Sequence, residues 1–344
     1  MKSVGFSKLG RVLAFGGALL AMGMATPALA DGDRYAAIVM DARTNEVLLE
    51  DQADEARFPA SLTKMMTLYL LFDALERGDI SMDTRLVASR HAVAQPPSQL
   101  GVRCTRRRGC DSITVEQSIR ALVVQSANDA AVMIAERLSG SEARFAAAMT
   151  ARARELGMAN TRFANASGLP DDRHRTTARD MALLGQALWR DFPEYYSYFQ
   201  TPSFSWRRSG GRNHNRLLGQ VEGVDGIKTG YTRASGFNLA SMAERNGRRV
   251  IVVVLGGETA AARDAQVAYL IEGAYQQFAL RENPSATYAS MPSHRLDMQM
   301  APSALAAGNT NAAGATYQGM VVETLSPAPT DFIGQGDQSS PAQE

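Results

Sequence analysis

The chain has 344 residues, 45% hydrophobic and 21% charged. That balance describes a soluble globular protein of one large or two ordinary domains and excludes a fibrous or wholly disordered chain. A formal net charge of +1 gives no reason to expect a nucleic-acid partner.

Residues 1–30 read as a secretory signal peptide: Lys2, Lys8 and Arg11, a short apolar run from Val12, and a small-residue ending at Ala28-Leu29-Ala30. Its removal takes the formal charge from +1 to −2. The chain is therefore expected to be exported to an oxidising compartment. Export suits the two cysteines, Cys104 and Cys110, which flank Thr105-Arg106-Arg107-Arg108-Gly109 and are a candidate disulfide. The arginine run itself reads as a solvated loop.

Residues 31–282 read as one catalytic domain. Arg34–Asp41 and Glu46–Glu50 form a hairpin about the turn at 42–45. A helix follows from Ser61 to Gly78 with almost no polar face, so it belongs in a core. Residues 80–112 are loop-rich. Thr114, with Gln117 three residues on, caps a helix to Gln125. Ser126-Ala127-Asn128 interrupts it, and helices follow over 129–138 and 141–156. Residues 158–177 read as loop, and Thr177 opens another helix, to about 190. Strands are expected at 224–230, 236–243 and 249–255, with an Asn246-Gly247 turn between the last two, then a helix over 259–280. Strands at both ends therefore bracket a helical middle. The expected fold is of the α/β (α+β) class: an antiparallel sheet flanked by helices, with an inserted all-helical subdomain. Residues 283–344, rich in Ala, Pro, Ser, Gly, Asn and Gln, read as a disordered low-complexity tail.

Lysine is scarce: of 36 Lys and Arg residues, only those at 2, 8, 64 and 228 are lysine. Arginine stays protonated, whereas a buried lysine can give up its proton. The two lysines beyond the signal fall in Ser61-x-x-Lys64 and Lys228-Thr229-Gly230, with Ser126-x-Asn128 between them. On a helix, residues i and i+3 are neighbours, so Lys64 can reach Ser61 and act as general base to a serine nucleophile. An apolar surrounding and the charge of Lys228 would lower its proton affinity. Ser126 is the candidate proton relay, and Asn128 can orient Lys64 and a substrate amide. Lys228, Thr229, Gly230 and Tyr231 lie on a strand that can bind an extended peptide and its carboxylate. The amides of Ser61 and Tyr231 are candidates for an oxyanion hole. A Ser-His-Asp site is disfavoured: His91, His174, His214 and His294 all fall in loop or tail, and there is no Gly-x-Ser-x-Gly elbow. No His-Glu-x-x-His metal motif is present, and no metal or cofactor is expected.

These three motifs, with Phe58–Met66, Gln125–Ala130, Thr177–Met181 and Val224–Thr232 around them, resemble the low-molecular-mass penicillin-binding proteins. Within that β-lactamase/transpeptidase-like group the resemblance is to the serine D-alanyl-D-alanine carboxypeptidases, and it covers about residues 34–280. It implies a periplasmic enzyme that removes the terminal D-alanine from peptidoglycan stem pentapeptides through an acyl-Ser61 intermediate, with β-lactams as covalent inhibitors. It also implies that Arg263 lies near the substrate carboxylate. The neighbouring readings are a D,D-endopeptidase that cuts cross-links, or a non-catalytic peptidoglycan-binding protein. A class A β-lactamase would need a Glu-x-x-Leu-Asn stretch after Asn128, and none is present. Many family members add a β-sandwich domain and an amphipathic anchoring helix. Neither is read here, which leaves membrane anchoring unsupported. Tyr231 stands where some members have histidine.

Overall fold

A computed structural model describes residues 34–283. The signal segment and tail lie outside the described residues. Strands β1 (Ala36–Asp41) and β2 (Val47–Asp51) form the expected hairpin. A 3-10 turn over Ala60–Leu62 leads into α1 (Thr63–Glu76). The segment after α1 holds β3 (Arg85–Val87), the short α2 (Arg90–Val93), and a small hairpin, β4 (Cys104–Thr105) and β5 (Gly109–Cys110). Strand β6 (Ser112–Thr114) returns to pair with β3.

The helical section is α3 (Val115–Arg120), a π-helical turn (Ala121–Gln125), α4 (Asn128–Ser139), α5 (Glu142–Glu155), α6 (Ala178–Asp191) and α7 (Pro193–Tyr196). The capping box at Thr114 forms: its side chain accepts from Gln117 N, and Thr114 N donates to Gln117 Oε1. The helical middle is not free of strands, as the sequence suggested. Besides the β3–β6 and β4–β5 pairs it is followed by a hairpin of β7 (Ser203–Trp206) and β8 (Ser209–Arg212). These strands are two to four residues long, too short for an alternating pattern to declare itself.

The chain closes with β9 (Val224–Thr232), β10 (Gly236–Arg245), β11 (Arg248–Gly257) and α8 (Ala260–Glu282). The main sheet is antiparallel in the order β2-β1-β11-β10-β9. Central β11 is apolar from Val250 to Leu255 because both its faces are covered. Alternation sorts the side chains. Ile38, Met40, Ile251 and Val253 join a core with α1, α4 and α6, while Val39, Val250, Val252 and Val254 pack under α8. Strand β9 ends the sheet, and its outer edge faces the turn that carries Ser61.

Candidate active site

The site begins at a tight turn. Pro59 is followed by Ala60, whose φ of 48° lies in the left-handed region. That conformation costs an alanine on the order of 1 kcal/mol and is held by its surroundings. Ser61 and Leu62 complete the 3-10 turn, with Leu62 N donating to Pro59 O at 3.2 Å. The nucleophile thus precedes the α-helix instead of occupying its first turn, which corrects the sequence reading. The i, i+3 contact survives the change because 3-10 geometry also brings such residues together.

Lys64 is fully buried at the start of α1. Its Nζ lies 3.2 Å from Ser61 Oγ, 2.8 Å from Asn128 Oδ1 and 2.6 Å from the carbonyl of Ser167. The last two groups can only accept. A neutral amine has two hydrogens and one lone pair, so Asn128 and Ser167 take both hydrogens and leave the lone pair for the serine proton. Burial holds the Lys64 proton affinity well below that of a free lysine, and the charge of Lys228 lowers it further; Asp129 and Glu142 oppose this.

The π-turn ends on Ser126, whose φ of 57° is again left-handed. This sharp exit sets Ser126 and Asn128 on the Lys64 side. Ser126 Oγ is buried and makes no hydrogen bond among the described residues, so its hydroxyl is uncommitted. Asn128 Nδ2 donates to Pro96 O at 3.0 Å, which fixes the amide so that its oxygen faces Lys64.

Three supports were not legible in the motifs. The first is the loop at 165–169. Asn165 Oδ1 accepts from Gly168 N at 2.7 Å, and this turn aims the Ser167 carbonyl at Lys64. Gly168 has φ +86°, and a Cβ there would sit 1.8 Å from Ala60 O. The second is His174, expected merely in a loop but buried, its Nε2 3.0 Å from Thr63 Oγ1. Burial pushes its pKa down to about 4, so the ring is neutral at pH 7. The third is Asn238 on β10, which donates to Phe58 O at 3.0 Å and Pro59 O at 3.1 Å and accepts from Gly256 N at 2.9 Å. A lone buried Asn in an apolar strand is a signal that could have found it, since buried polar groups need partners.

On the opposite wall, Gly230 lets β9 approach the nucleophile: a Cβ there would lie 3.0 Å from Ser61 N. Lys228 is buried and donates to Thr229 O at 2.9 Å. Burial, then the charge of Arg263, pushes its pKa down to about 7. Arg263 itself points inward. It donates to Asn238 O at 2.7 Å and pairs with Asp264 at 2.8 Å. It therefore stands behind Lys228 and acts on it through charge. Tyr231 is 56% exposed and stacks on Phe237 with ring centroids 4.2 Å apart, forming an aromatic shelf at the end of the strand. His214 also belongs to this wall. Although part of its ring reaches solvent, burial and the charges of Lys228, Arg216, Arg263 and Lys64 push its pKa down to about 4. Cys104 and Cys110 are joined as a disulfide across the β4–β5 hairpin.

The model of one protein family, D-alanyl-D-alanine carboxypeptidase (Peptidase_S11), matches residues 24–259, more than half of the chain. The chain belongs to this family. It is 36% identical over 263 residues to the D-alanyl-D-alanine carboxypeptidase DacC of Escherichia coli, covering 74% of this chain and 66% of DacC. It is 34% identical over 247 residues to DacF of Bacillus subtilis, covering 70% of this chain and 62% of DacF. The chain thus spans less than two thirds of the length of these relatives. Among solved structures, penicillin-binding protein D2 of Listeria monocytogenes, in its cefotaxime-bound form, superposes with a TM-score of 0.62 at 33% identity. That match covers 70% of this chain and 96% of the Listeria protein. The fold is that of the penicillin-binding proteins, and the expected antiparallel sheet flanked by helices is the one found.

Proposed function

We propose that this protein is a serine D,D-carboxypeptidase that removes the terminal D-alanine from peptidoglycan stem pentapeptides, acting in the periplasm after export. The observation that carries this reading is the hydrogen-bond set of Lys64, a buried amine with both hydrogens engaged and its remaining direction facing Ser61. A serine hydroxyl needs such a base to be nucleophilic at neutral pH.

The stem peptide lies extended along the outer edge of β9, adding a strand to the sheet. Lys228 and Thr229 hold its terminal carboxylate, and the Arg263 charge behind them adds to the positive field there while making Lys228 easier to deprotonate. Ser61 Oγ attacks the carbonyl of the penultimate D-alanine while its proton passes to Lys64. The oxyanion meets the amides of Ser61 and Tyr231. The C–N bond then breaks as the leaving amine takes a proton through Ser126, and D-alanine departs. Water next attacks the Ser61 ester, giving its proton to the same relay, and the ester oxygen leaves as the serine hydroxyl. A β-lactam carries a strained amide and a carboxylate, so it would acylate Ser61 by the same first step. The β-lactam-bound Listeria relative supports this.

Fluorescent penicillin tests the reading. The wild-type protein is expected to label covalently and Ser61→Ala to lose the label while keeping its circular dichroism spectrum. A labelled Ser61→Ala would sink the assignment of nucleophile. Release of D-alanine from a pentapeptide, with a cross-linked dimer left intact, separates carboxypeptidase from endopeptidase.

A further inference from the structure

Among the described residues, the two longest stretches with no acidic residue are 84–110 and 195–221. The first holds Arg85, Arg90, Arg103 and the triplet Arg106-Arg107-Arg108; the second holds Arg207, Arg208, Arg212 and Arg216. Each folds into a hairpin with exposed arginines at its tip, β4–β5 around Arg106–Arg108 and β7–β8 around Arg207-Arg208. Asp111, the residue after β5, bridges the two hairpins. Asp111 Oδ2 accepts from Arg103 N at 2.9 Å and pairs with Arg207 at 2.8 Å.

Both are also fastened to the segment that carries Ser126 and Asn128. Gln125 Nε2 donates to Phe204 O at 3.0 Å, and its Oε1 accepts from Ser209 at 3.1 Å. Asp129 accepts from the amides of Leu100 and Gly101, both at 2.9 Å, in the run leading into β4. The arginine tips are thereby set beside the cleft by residues adjoining the catalytic ones.

Among the described residues, Arg106, Arg107, Arg108, Arg208 and Arg212 have no carboxylate within ion-pair distance, whereas Arg179 holds Asp54 at 2.8 Å and Arg245 pairs with Glu272. Five unpaired guanidinium groups on two hairpins bridged by one carboxylate repel one another. The Cys104–Cys110 bond keeps one of those hairpins closed against that repulsion. Such a concentration of one sign beside a cleft attracts and orients an anionic ligand, and each guanidinium fork matches a carboxylate.

We propose that these paired hairpins are a docking surface for the carboxylates of the peptidoglycan polymer, holding the wall while one stem enters the Ser61 cleft. The proposal rests on the carboxypeptidase reading and adds a second contact to it. Stem peptides recur along the polymer and carry free carboxylates, so weak arginine contacts add up by multivalency. An anionic lipid surface is the other polyanion to consider. Membrane docking normally adds exposed apolar side chains to the charge. None of the large exposed apolar residues lies on either hairpin, and Trp206 is covered by the guanidinium of Arg207 at 4.4 Å.

The test is co-sedimentation of the full chain with purified sacculi over a range of NaCl concentrations, alongside flotation with phosphatidylglycerol vesicles. Arg106→Gln/Arg107→Gln/Arg108→Gln is expected to bind sacculi about tenfold more weakly at low salt, with a flatter salt dependence, the scale for three exposed ion pairs lost together. Arg208→Gln/Arg212→Gln, on the other hairpin, is expected to weaken binding in the same way, which guards against misfolding of one hairpin as the cause. Amidating the sacculus carboxylates should reduce wild-type binding to the level of the variants. Fluorescent-penicillin labelling and D-alanine release from a short pentapeptide should stay at wild-type rates in both variants. Unchanged sacculus binding in both variants, or arginine-dependent binding to vesicles and not to sacculi, overturns the docking surface. Loss of penicillin labelling in the wild type would overturn the carboxypeptidase reading instead, so the two failures are distinguishable.

Discussion

Two buried lysines do opposite jobs in this cleft, and their surroundings explain how. Lys64 is needed neutral, and deep burial with Lys228 nearby drives it that way. Lys228 is needed charged to hold a carboxylate, yet burial and Arg263 bring its pKa down to about 7. The sign follows. Below about 7 Lys228 is protonated in the free protein and ready for the carboxylate. Above it, binding must also take up a proton, and affinity falls by up to about tenfold per pH unit. On the acid side, activity is lost as pH falls through the lowered pKa of Lys64. The profile of kcat/KM for a peptide ending in a free carboxylate is therefore expected to be bell-shaped, with its alkaline limb beginning near 7. The same peptide ending in an amide should keep the acid limb and lose the alkaline one. An identical alkaline limb for both would remove Lys228 from carboxylate binding. Both lysines were legible in the sequence because they are rare and because Ser61 and Lys64 are neighbours along one stretch of chain. The Ser167 carbonyl was not, since any residue supplies a carbonyl and only folding brings position 167 to position 64.

Among elements, the turn before α1 carries the most demanding geometry. Ala60 and Ser126 are both left-handed, and each stands at the point where a segment delivers a reactive side chain. Strain of this kind persists only when neighbours over-determine it. For Ala60 the neighbours are Asn238, which fastens Phe58 and Pro59, and Gly168, whose backbone lies against the Ala60 carbonyl. Gly168→Ala tests this. The new methyl would fall 1.8 Å from Ala60 O in a backbone conformation that already costs alanine about 1 kcal/mol. Tm is expected to drop by at least about 3 °C. Penicillin acylation should slow at least about tenfold, because both Ser61 and the Ser167 carbonyl must shift. Wild-type acylation in a folded Gly168→Ala protein would show that the two loops are not coupled. The long helices and the apolar strands were readable from periodicity and capping, with boundaries off by a residue or two. The 3-10 turn, the π-turn and the three short strand pairs were not. The first two keep the helical pattern of side chains, and the last are fixed by tertiary contacts such as Asp111 with Arg207.

For the molecule as a whole, the sheet separates two cores that differ in what they support. The core beneath α8 packs Val250, Val252 and Ile271 and reaches no catalytic residue directly. The core on the other face joins α1, α4, α6 and the sheet, and it includes Met65 beside Lys64, Ala127 between Ser126 and Asn128, and Ile227 beside Lys228. Gly185 of α6 lies at that junction. A Cβ there would approach Ile251 Cδ1 to 2.3 Å, Ile227 Cδ1 to 2.9 Å and Met65 Cε to 3.6 Å. Ile227 precedes Lys228 and Met65 follows Lys64, so crowding at one helix position pushes on the neighbours of both lysines. Close packing transmits such a push because the interior has little free volume to absorb it. Gly185→Ala, an overpacking change, and Ile271→Val, a cavity change on the far face, are each expected to cost about 1 kcal/mol of stability in urea unfolding. Only Gly185→Ala is expected to slow penicillin acylation. If Ile271→Val slows it equally, the sheet transmits strain across both faces and the two cores are one mechanical unit. If neither slows it, the lysines are held by their hydrogen bonds alone, with packing contributing only to the fold.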